Sequence, residues 1–181
     1  MARKLIVTEF MTLDGVVENP MWSFPYWNDE TAAFKAEETN MGQHMLLGRV
    51  TYEQFAQAWP KSKDEGAAYF NPARKYVVSS TLTKDIWRNA TFIRGDLRKE
   101  IERLKSESGP DLVVHGSITL ARWLLAERLV DDLRLLVYPV VGEKGRRFFE
   151  GEVPSAKLEL RSSSATSKNV LRLVYGPARG A

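Results

Sequence analysis

Segments with the periodicity of strands alternate along this chain with segments that have the periodicity of helices. Strands are expected over Lys4–Thr12, His44–Leu47, Lys75–Ser79, Thr91–Ile93, Asp111–Val114 and Asp132–Pro139, and helices over 28–41, 52–59, 97–104 and 118–125. Two last strands, Lys157–Ser162 and Val170–Tyr175, flank a Ser/Thr-rich turn. This order predicts an α/β fold, a mostly parallel central sheet flanked by helices with an antiparallel C-terminal hairpin.

Length and composition exclude several classes of protein. The 181 residues fit one domain over 1–181, because no repeat or linker divides them. The chain has no cysteine, which excludes disulfides, thiolate zinc sites and zinc deamination and suits a reducing, cytoplasmic location. It has only two histidines, and no metal is expected. The N-terminal segment has the pattern of neither a signal peptide nor a membrane span, so no membrane partner is expected.

The charge of the chain also limits its partners. Lys and Arg total 26 and Asp and Glu total 23, which leaves a net charge of only +3. A nucleic-acid-binding protein usually shows a clustered basic face, so no nucleic acid is expected as a partner. The scattered cations remain suited to receiving a phosphorylated small molecule.

Small and donor-rich residues follow three of the predicted parallel strands. They are Gly48, Arg49 and Thr51 at the first junction, Ser79, Ser80 and Thr81 at the second, and Gly116, Ser117, Ile118 and Thr119 at the third. Sheets of this kind bind ligands at the carboxyl ends of their strands, and a helix N-terminus attracts anions. Each junction alone is explained by turn geometry or helix capping. The three together favour a long phosphorylated ligand.

Aromatic residues crowd the loop after the first strand. Trp22, Phe24, Tyr26 and Trp27 lie there between and beside two prolines. These rings either cover the mouth of the core or stack a planar heterocycle. Both interpretations stay open, and Trp22 and Trp27 are the candidate substrate residues.

Four segments in this order resemble one protein family. They are TLDGVVENP, LLGRVTYE, KYVVSSTL and the long stretch that begins DLVVHGSITLARWLL. The chain resembles the dihydrofolate-reductase-like superfamily and, within it, the C-terminal reductase domain of bacterial riboflavin-biosynthesis proteins (RibD C-terminal domain family). One departure stands out: His115 precedes Gly116 where the family has a Gly-Gly pair.

The resemblance implies NADPH as cofactor and assigns residues to it. Arg49 and Ser80 would bind the 2′-phosphate, and Val17 would border the nicotinamide. The pyrophosphate would be held by Thr51, Gly116, Ser117 and Ile118.

The resemblance leaves the proton donor open between Glu30, Asp14 and water. Folate reductases hold the pterin with an acidic residue four positions before a Phe, and that spacing falls on Glu30, before Phe34. A carboxylate in the first turn of a helix is explained equally well by stabilisation of the helix dipole, with Asp29 beside it.

The function that the resemblance implies is reduction of a small planar heterocycle, with 5-amino-6-(5-phosphoribosylamino)uracil reduction in riboflavin biosynthesis first among named activities. Two alternatives stay open: a dihydrofolate reductase-like activity, and a non-catalytic nucleotide-binding protein of the same fold. A homodimer is also expected, with helix 118–126 and the last hairpin as candidate interfaces.

Overall fold

The computed structural model describes residues 2–41, 44–151 and 156–178. Eight strands form one sheet: β1 (Leu5–Thr12), β2 (His44–Gly48), β3 (Arg74–Val78), β4 (Ala90–Ile93), β5 (Leu112–His115), β6 (Asp132–Tyr138), β7 (Leu158–Ala165) and β8 (Leu171–Pro177). Their order across the sheet is β4-β3-β2-β5-β1-β6-β8-β7. All neighbours are parallel except β6 with β8 and β7 with β8. The predicted α/β fold with an antiparallel C-terminal hairpin is therefore confirmed.

Within the described residues, five α-helices accompany the strands: α1 (Asp29–Met41), α2 (Arg49–Ala58), α3 (Ala67–Phe70), α4 (Leu97–Ser106) and α5 (Ile118–Ala126). Short 3-10 segments cover Pro20–Tyr26 and Trp59–Lys61. The first of these lies inside the aromatic segment expected to be a loop, and α3 was not expected at all. Proline near the start of both 3-10 segments fixes φ close to a helical value, which favours a tight turn there.

The helices lie on both faces of the sheet. On one face, Ile101 of α4 and Leu120 and Leu124 of α5 pack against Leu5 and Val7 of β1. On the other face, Tyr52 of α2 packs against β2 and β3, and Phe34 of α1 packs against β6. Alternate residues of each central strand therefore supply two separate layers of core.

A buried ionic cluster fastens α1 to the sheet. Glu38 is fully buried and accepts hydrogen bonds from Thr8 Oγ1 at 2.8 Å and from Arg134 Nε at 3.1 Å. Lys35 forms a further ion pair with the same carboxylate, and the Arg134 guanidinium lies 4.1 Å from the centre of the Phe34 ring. Each charge thus has partners that offset its loss of water.

This cluster generates the first prediction. Glu38→Ala leaves Arg134 buried with its charge only partly paired, so we expect a loss of about 3–5 kcal/mol in the free energy of unfolding measured with urea. Glu102→Ala is the matched control: Glu102 pairs with Arg98 at the surface, and its loss should cost no more than about 0.5 kcal/mol. Equal stabilities of the two variants would contradict the role given to Glu38.

Candidate functional site

The first and third junctions meet at the carboxyl edge of the sheet, because β2 and β5 are neighbours. The backbone N–H of Gly48 donates to Ser117 Oγ at 2.9 Å. A Cβ added to Gly116 would lie 3.8 Å from Cγ2 and 3.9 Å from Oγ1 of Thr51. The N-termini of α2 and α5 therefore open side by side, as the spacing of the sequence predicts for parallel strands.

The turn that leads into α5 has an unusual backbone. Gly116 and Ser117 both adopt left-handed conformations, with φ of +60° and +62°. Such a conformation costs a glycine little, but it is uncommon for serine. The Ser117 side chain makes no capping bond to its own helix; it accepts instead from Gly48 and joins the two helix starts.

The four longer helices fall into two groups according to whether their first turns contain acidic residues. The first turns of α1 and α4 contain acidic residues, Asp29 and Glu30 in α1 and Glu100 in α4, and Asp96 caps α4. The first turns of α2 and α5, RVTY and ITLA, contain no acid. Unpaired backbone N–H groups and the positive end of the helix dipole make these two helix starts suitable for an anion.

Arg49 opens α2 and adds a side-chain cation to this region. Its guanidinium donates a hydrogen bond of 2.8 Å to the carboxylate of Glu53, one turn later, and the Arg49 side chain is 45% exposed. An exposed guanidinium held at one end has room for a bidentate contact with a phosphate.

Of the three hydroxyl residues at the second junction, one is buried and two are exposed. Ser79 is buried, and its Oγ accepts from the backbone N–H groups of Thr81 and Leu82 at 3.2 and 3.0 Å. The side chain of Ser79 therefore closes the turn after β3. Ser80 and Thr81 are exposed there and free to face a ligand.

Asp14 organises the loop that carries Val17. Its carboxylate accepts from Thr12 Oγ1 at 2.7 Å, from Gly142 N at 3.2 Å and from Arg147 at 3.1 Å. The hydrogen bond from Thr12, followed by that from Gly142, lowers the pKa of Asp14. A carboxylate fixed in its ionised form binds this loop to the segment 142–147 and is a poor proton donor. Val17 itself is buried and belongs to the core.

Glu30 is hydrogen-bonded to the turn between β7 and β8. Its carboxylate accepts from the backbone N–H and hydroxyl of Ser167 at 2.7 and 2.6 Å and from Asn28 at 3.0 Å. The hydroxyl of Ser167, followed by its backbone N–H, lowers the pKa of Glu30. These contacts favour a structural role for Glu30 over proton donation.

The two candidate tryptophans have different environments. Trp22 packs edge-on against Tyr138 with ring centres 5.3 Å apart, which makes it part of a core cluster. Trp27 is 44% exposed, and its ring centre lies 6.3 Å from that of Phe10. The Nζ atom of Lys35 lies over the Phe10 ring, 5.2 Å from the ring centre. Trp27 is therefore the tryptophan available to a ligand.

Two buried ionisable residues lie at this edge. The sequence singled out His115 only as a departure from the Gly-Gly pair of the family that the chain resembles, and it did not single out Glu9. His115 packs edge-on against Phe70, with ring centres 5.0 Å apart, and lies 3.5 Å from the Tyr69 hydroxyl; burial lowers the pKa of His115 well below its usual range, so the ring is neutral. Glu9 is 4% exposed, and burial raises the pKa of its carboxyl to about 8. A glutamate inside the apolar run LIVTEFMT was the available signal for Glu9.

A 520 Å³ cleft also lies at the opposite edge of the sheet, beside His44, Tyr69 and Arg74. None of the residues named at the three junctions is among those that line it. No helix in the described ranges has the length and apolar character needed to cross a membrane.

Comparison with known proteins gives concordant matches over nearly the whole chain. Residues 3–172 match the RibD C-terminal domain family. The uncharacterized protein YyaP of Bacillus subtilis (strain 168) is 26% identical over 178 residues, which are 96% of this chain and 94% of YyaP.

Two solved structures share the fold. One, from Shewanella sp. PV-4 and provisionally assigned to riboflavin biosynthesis, is 17% identical with a TM-score of 0.73 over 99% of this chain and 100% of its own. The other is dihydrofolate reductase from Enterococcus faecalis in complex with NADP(H), 16% identical with a TM-score of 0.66 over 98% of this chain and 99% of its own. These matches confirm the dihydrofolate-reductase-like fold.

The contacts of Glu30 predict a specific pH dependence of stability. The folded pKa is below the unfolded value of 4.5, so ionised Glu30 stabilises the fold fully above about pH 5 and loses this effect as the pH falls through the folded value. Melting curves should show Glu30→Gln less stable than wild type at neutral pH and equal to it in acid. Glu143→Gln, at an exposed position, should follow wild type throughout. A Glu30→Gln deficit that does not change with pH would contradict this role.

Proposed function

The chain belongs to the RibD C-terminal domain family, and from that premise we propose that it is an NADPH-dependent reductase of a small planar heterocycle. Reduction of 5-amino-6-(5-phosphoribosylamino)uracil, a step of riboflavin biosynthesis, is the first candidate reaction. The observation that carries the proposal is the hydrogen bond between Gly48 and Ser117, which joins two acid-free helix starts at the carboxyl edge of the sheet.

The residues around these two helix starts fit a dinucleotide phosphate. The backbone N–H groups at the starts of α2 and α5, with Thr51 and Ser117, would hold the pyrophosphate. Gly116 leaves room above Thr51, since an added Cβ meets only ordinary van der Waals neighbours there. Arg49 and the exposed Ser80 would bind the 2′-phosphate, and Gly48, Ser79, Thr81, Ile118 and Thr119 would shape the walls.

Bound NADPH would supply a hydride, and the protein would contribute position and electrostatics. Val17 would border the nicotinamide, and the substrate would lie towards Phe10 and Trp27. Exposed Trp27 would offer one flat face to a heterocycle, and the ammonium of Lys35 lies 5.2 Å from the centre of the neighbouring Phe10 ring. Asp14 and Glu30 are tied into structural contacts, which leaves water as the proton donor of the three considered.

The proposal includes a cytoplasmic location, which a chain without cysteine suits. It also includes a homodimer formed through the C-terminal hairpin. Every residue of β7 is exposed, among them Leu158 and Leu160, and this strand forms the edge of the sheet. An exposed edge strand is suited to pairing with a second copy of itself.

The activity is tested by following NADPH absorbance with the purified protein and a panel of heterocycles that contains the aminouracil, dihydrofolate and a flavin. Oxidation with the aminouracil supports the first candidate reaction, and oxidation with dihydrofolate alone moves the assignment to a folate reductase. NADPH binding without oxidation of any member would identify a nucleotide-binding protein that lacks this chemistry.

Arg49 generates a prediction about cofactor choice. A charge-assisted hydrogen bond is worth about 1.5–3 kcal/mol, so Arg49→Ala should weaken NADPH binding by about 10- to 150-fold and leave NADH binding nearly unchanged. Arg98→Ala is the control, because Arg98 is also exposed and also pairs with a glutamate four residues later. Equal dissociation constants for NADPH and NADH in the wild type would refute the assignment.

Trp27 generates a prediction about the substrate. Loss of one stacked ring pair costs about 0.5–1.5 kcal/mol, so Trp27→Ala should raise the KM of the active heterocycle by about two- to tenfold. NADPH affinity should stay unchanged. Phe24→Ala serves as control, since Phe24 is 61% exposed in the same aromatic segment. A Trp27→Ala variant with wild-type KM would remove Trp27 from the substrate site.

A further inference from the structure

Glu9 carries a carboxyl group that is buried near the carboxyl end of β1. The residue is 4% exposed, and its Oε1 atom has no hydrogen-bond partner within 2–41, 44–151 and 156–178. A buried, unpaired carboxylate is strongly unfavourable, so such a group stays protonated unless a cation compensates it. Burial raises the pKa of Glu9 to about 8, an effect that Lys35 partly opposes.

The position of Glu9 connects it with the proposed cofactor cleft. Pairing between β1 and β5 stops at Thr8 and His115, and the carbonyl of Thr8 accepts the Gly116 N–H at 3.4 Å. Glu9 is thus the first residue of β1 beyond the end of β5, beside the turn that starts α5. Strand alternation places its side chain on the face of Val7, in the layer that also contains Val17.

We propose that Glu9 faces the nicotinamide of the bound cofactor and releases its proton when the ring is in its oxidised, cationic form. The inference rests on the proposed function, because it requires a nicotinamide cofactor in the cleft. Its physical basis is that NADPH presents a neutral ring and NADP⁺ a positive one. A neutral carboxyl group suits the first ring, and a carboxylate suits the second.

The protein groups around Glu9 are mostly apolar or neutral, so the charge of a bound ligand would decide whether its carboxyl group ionises. Leu135 stands opposite it on β6, and Val17 and Ile118 belong to the apolar layer on its side of the sheet. Lys35 of α1 contacts Thr8 and Phe10, the residues on either side of Glu9 in sequence, and supplies the protein charge whose field reaches it. His115 on β5 is neutral.

Binding of NADP⁺ is expected to release a proton from Glu9, and binding of NADPH is not. A cation about 4–6 Å away lowers a carboxyl pKa by about one to three units. Starting from about 8, this releases about 0.4–0.9 proton from Glu9 at neutral pH when NADP⁺ binds. NADPH should release none from Glu9. The affinity for NADP⁺ relative to NADPH should therefore rise between about pH 6 and pH 8.

Isothermal titration calorimetry in buffers of different ionisation enthalpy measures these protons. NADP⁺ and NADPH are titrated into wild type, Glu9→Gln and the surface control Glu102→Gln. Protons taken up by the 2′-phosphate are common to both cofactors and cancel in the difference between them. Glu9→Gln keeps the shape of the side chain and removes its ionisation, and circular dichroism confirms that the variant is folded.

We expect NADP⁺ and NADPH to differ in the number of protons released on binding to wild type and to Glu102→Gln. This difference should disappear in Glu9→Gln. Equal proton exchange for NADP⁺ and NADPH in wild type overturns the inference, even if no Glu9 variant folds. A difference that persists in Glu9→Gln overturns it as well. Absence of binding by either cofactor overturns the proposed function itself and is thereby distinguished from failure of the Glu9 inference alone.

Discussion

The parallel pairing of β1 with a shorter neighbour determines how the carboxyl edge of the sheet is built. On one side β1 pairs with β6 as far as Thr12, and on the other side it pairs with β5 only as far as Thr8. The chain leaves the sheet at Gly116 and starts α5 at once. Among the described residues, the last four residues of β1 therefore have no strand partner on the side of β5. Helix α5 starts beside them, and the Gly48–Ser117 hydrogen bond joins its start to that of α2.

The acidic residues near this edge have separate roles, which their partners decide. Asp14 and Glu30 each accept several hydrogen bonds, some of them from loops distant in sequence, and these bonds keep both ionised. Glu38 is buried but paired with cations. Glu9 is buried and lacks such partners among the described residues. Of these four carboxyl groups, Glu9 is the one whose charge a ligand can most readily change.

The strands and most helices were predictable because their apolar residues recur at the spacing of the structure that they form. The meeting of the Gly48 and Gly116 junctions was predictable as well, since parallel strands place their carboxyl ends together. The roles of Asp14 and Glu30 were not, because their partners, Arg147 and Ser167, lie more than 130 residues away in sequence. Helix α3 escaped prediction because four residues carry too little periodicity, and packing of Phe70 on His115 helps to hold it.

In the proposed binding mode, Arg49 and Glu9 would lie towards the two ends of a dinucleotide. Arg49, an exposed and permanent cation, would meet a phosphate, whose charge stays the same throughout a reaction. Glu9 would lie at the buried end, where a nicotinamide would change from neutral to positive. A fixed carboxylate in that position would favour the oxidised cofactor at all times and hold it after the hydride is transferred. A carboxyl group that is neutral at rest avoids this bias against NADPH, and its ionisation compensates the new charge only when that charge forms.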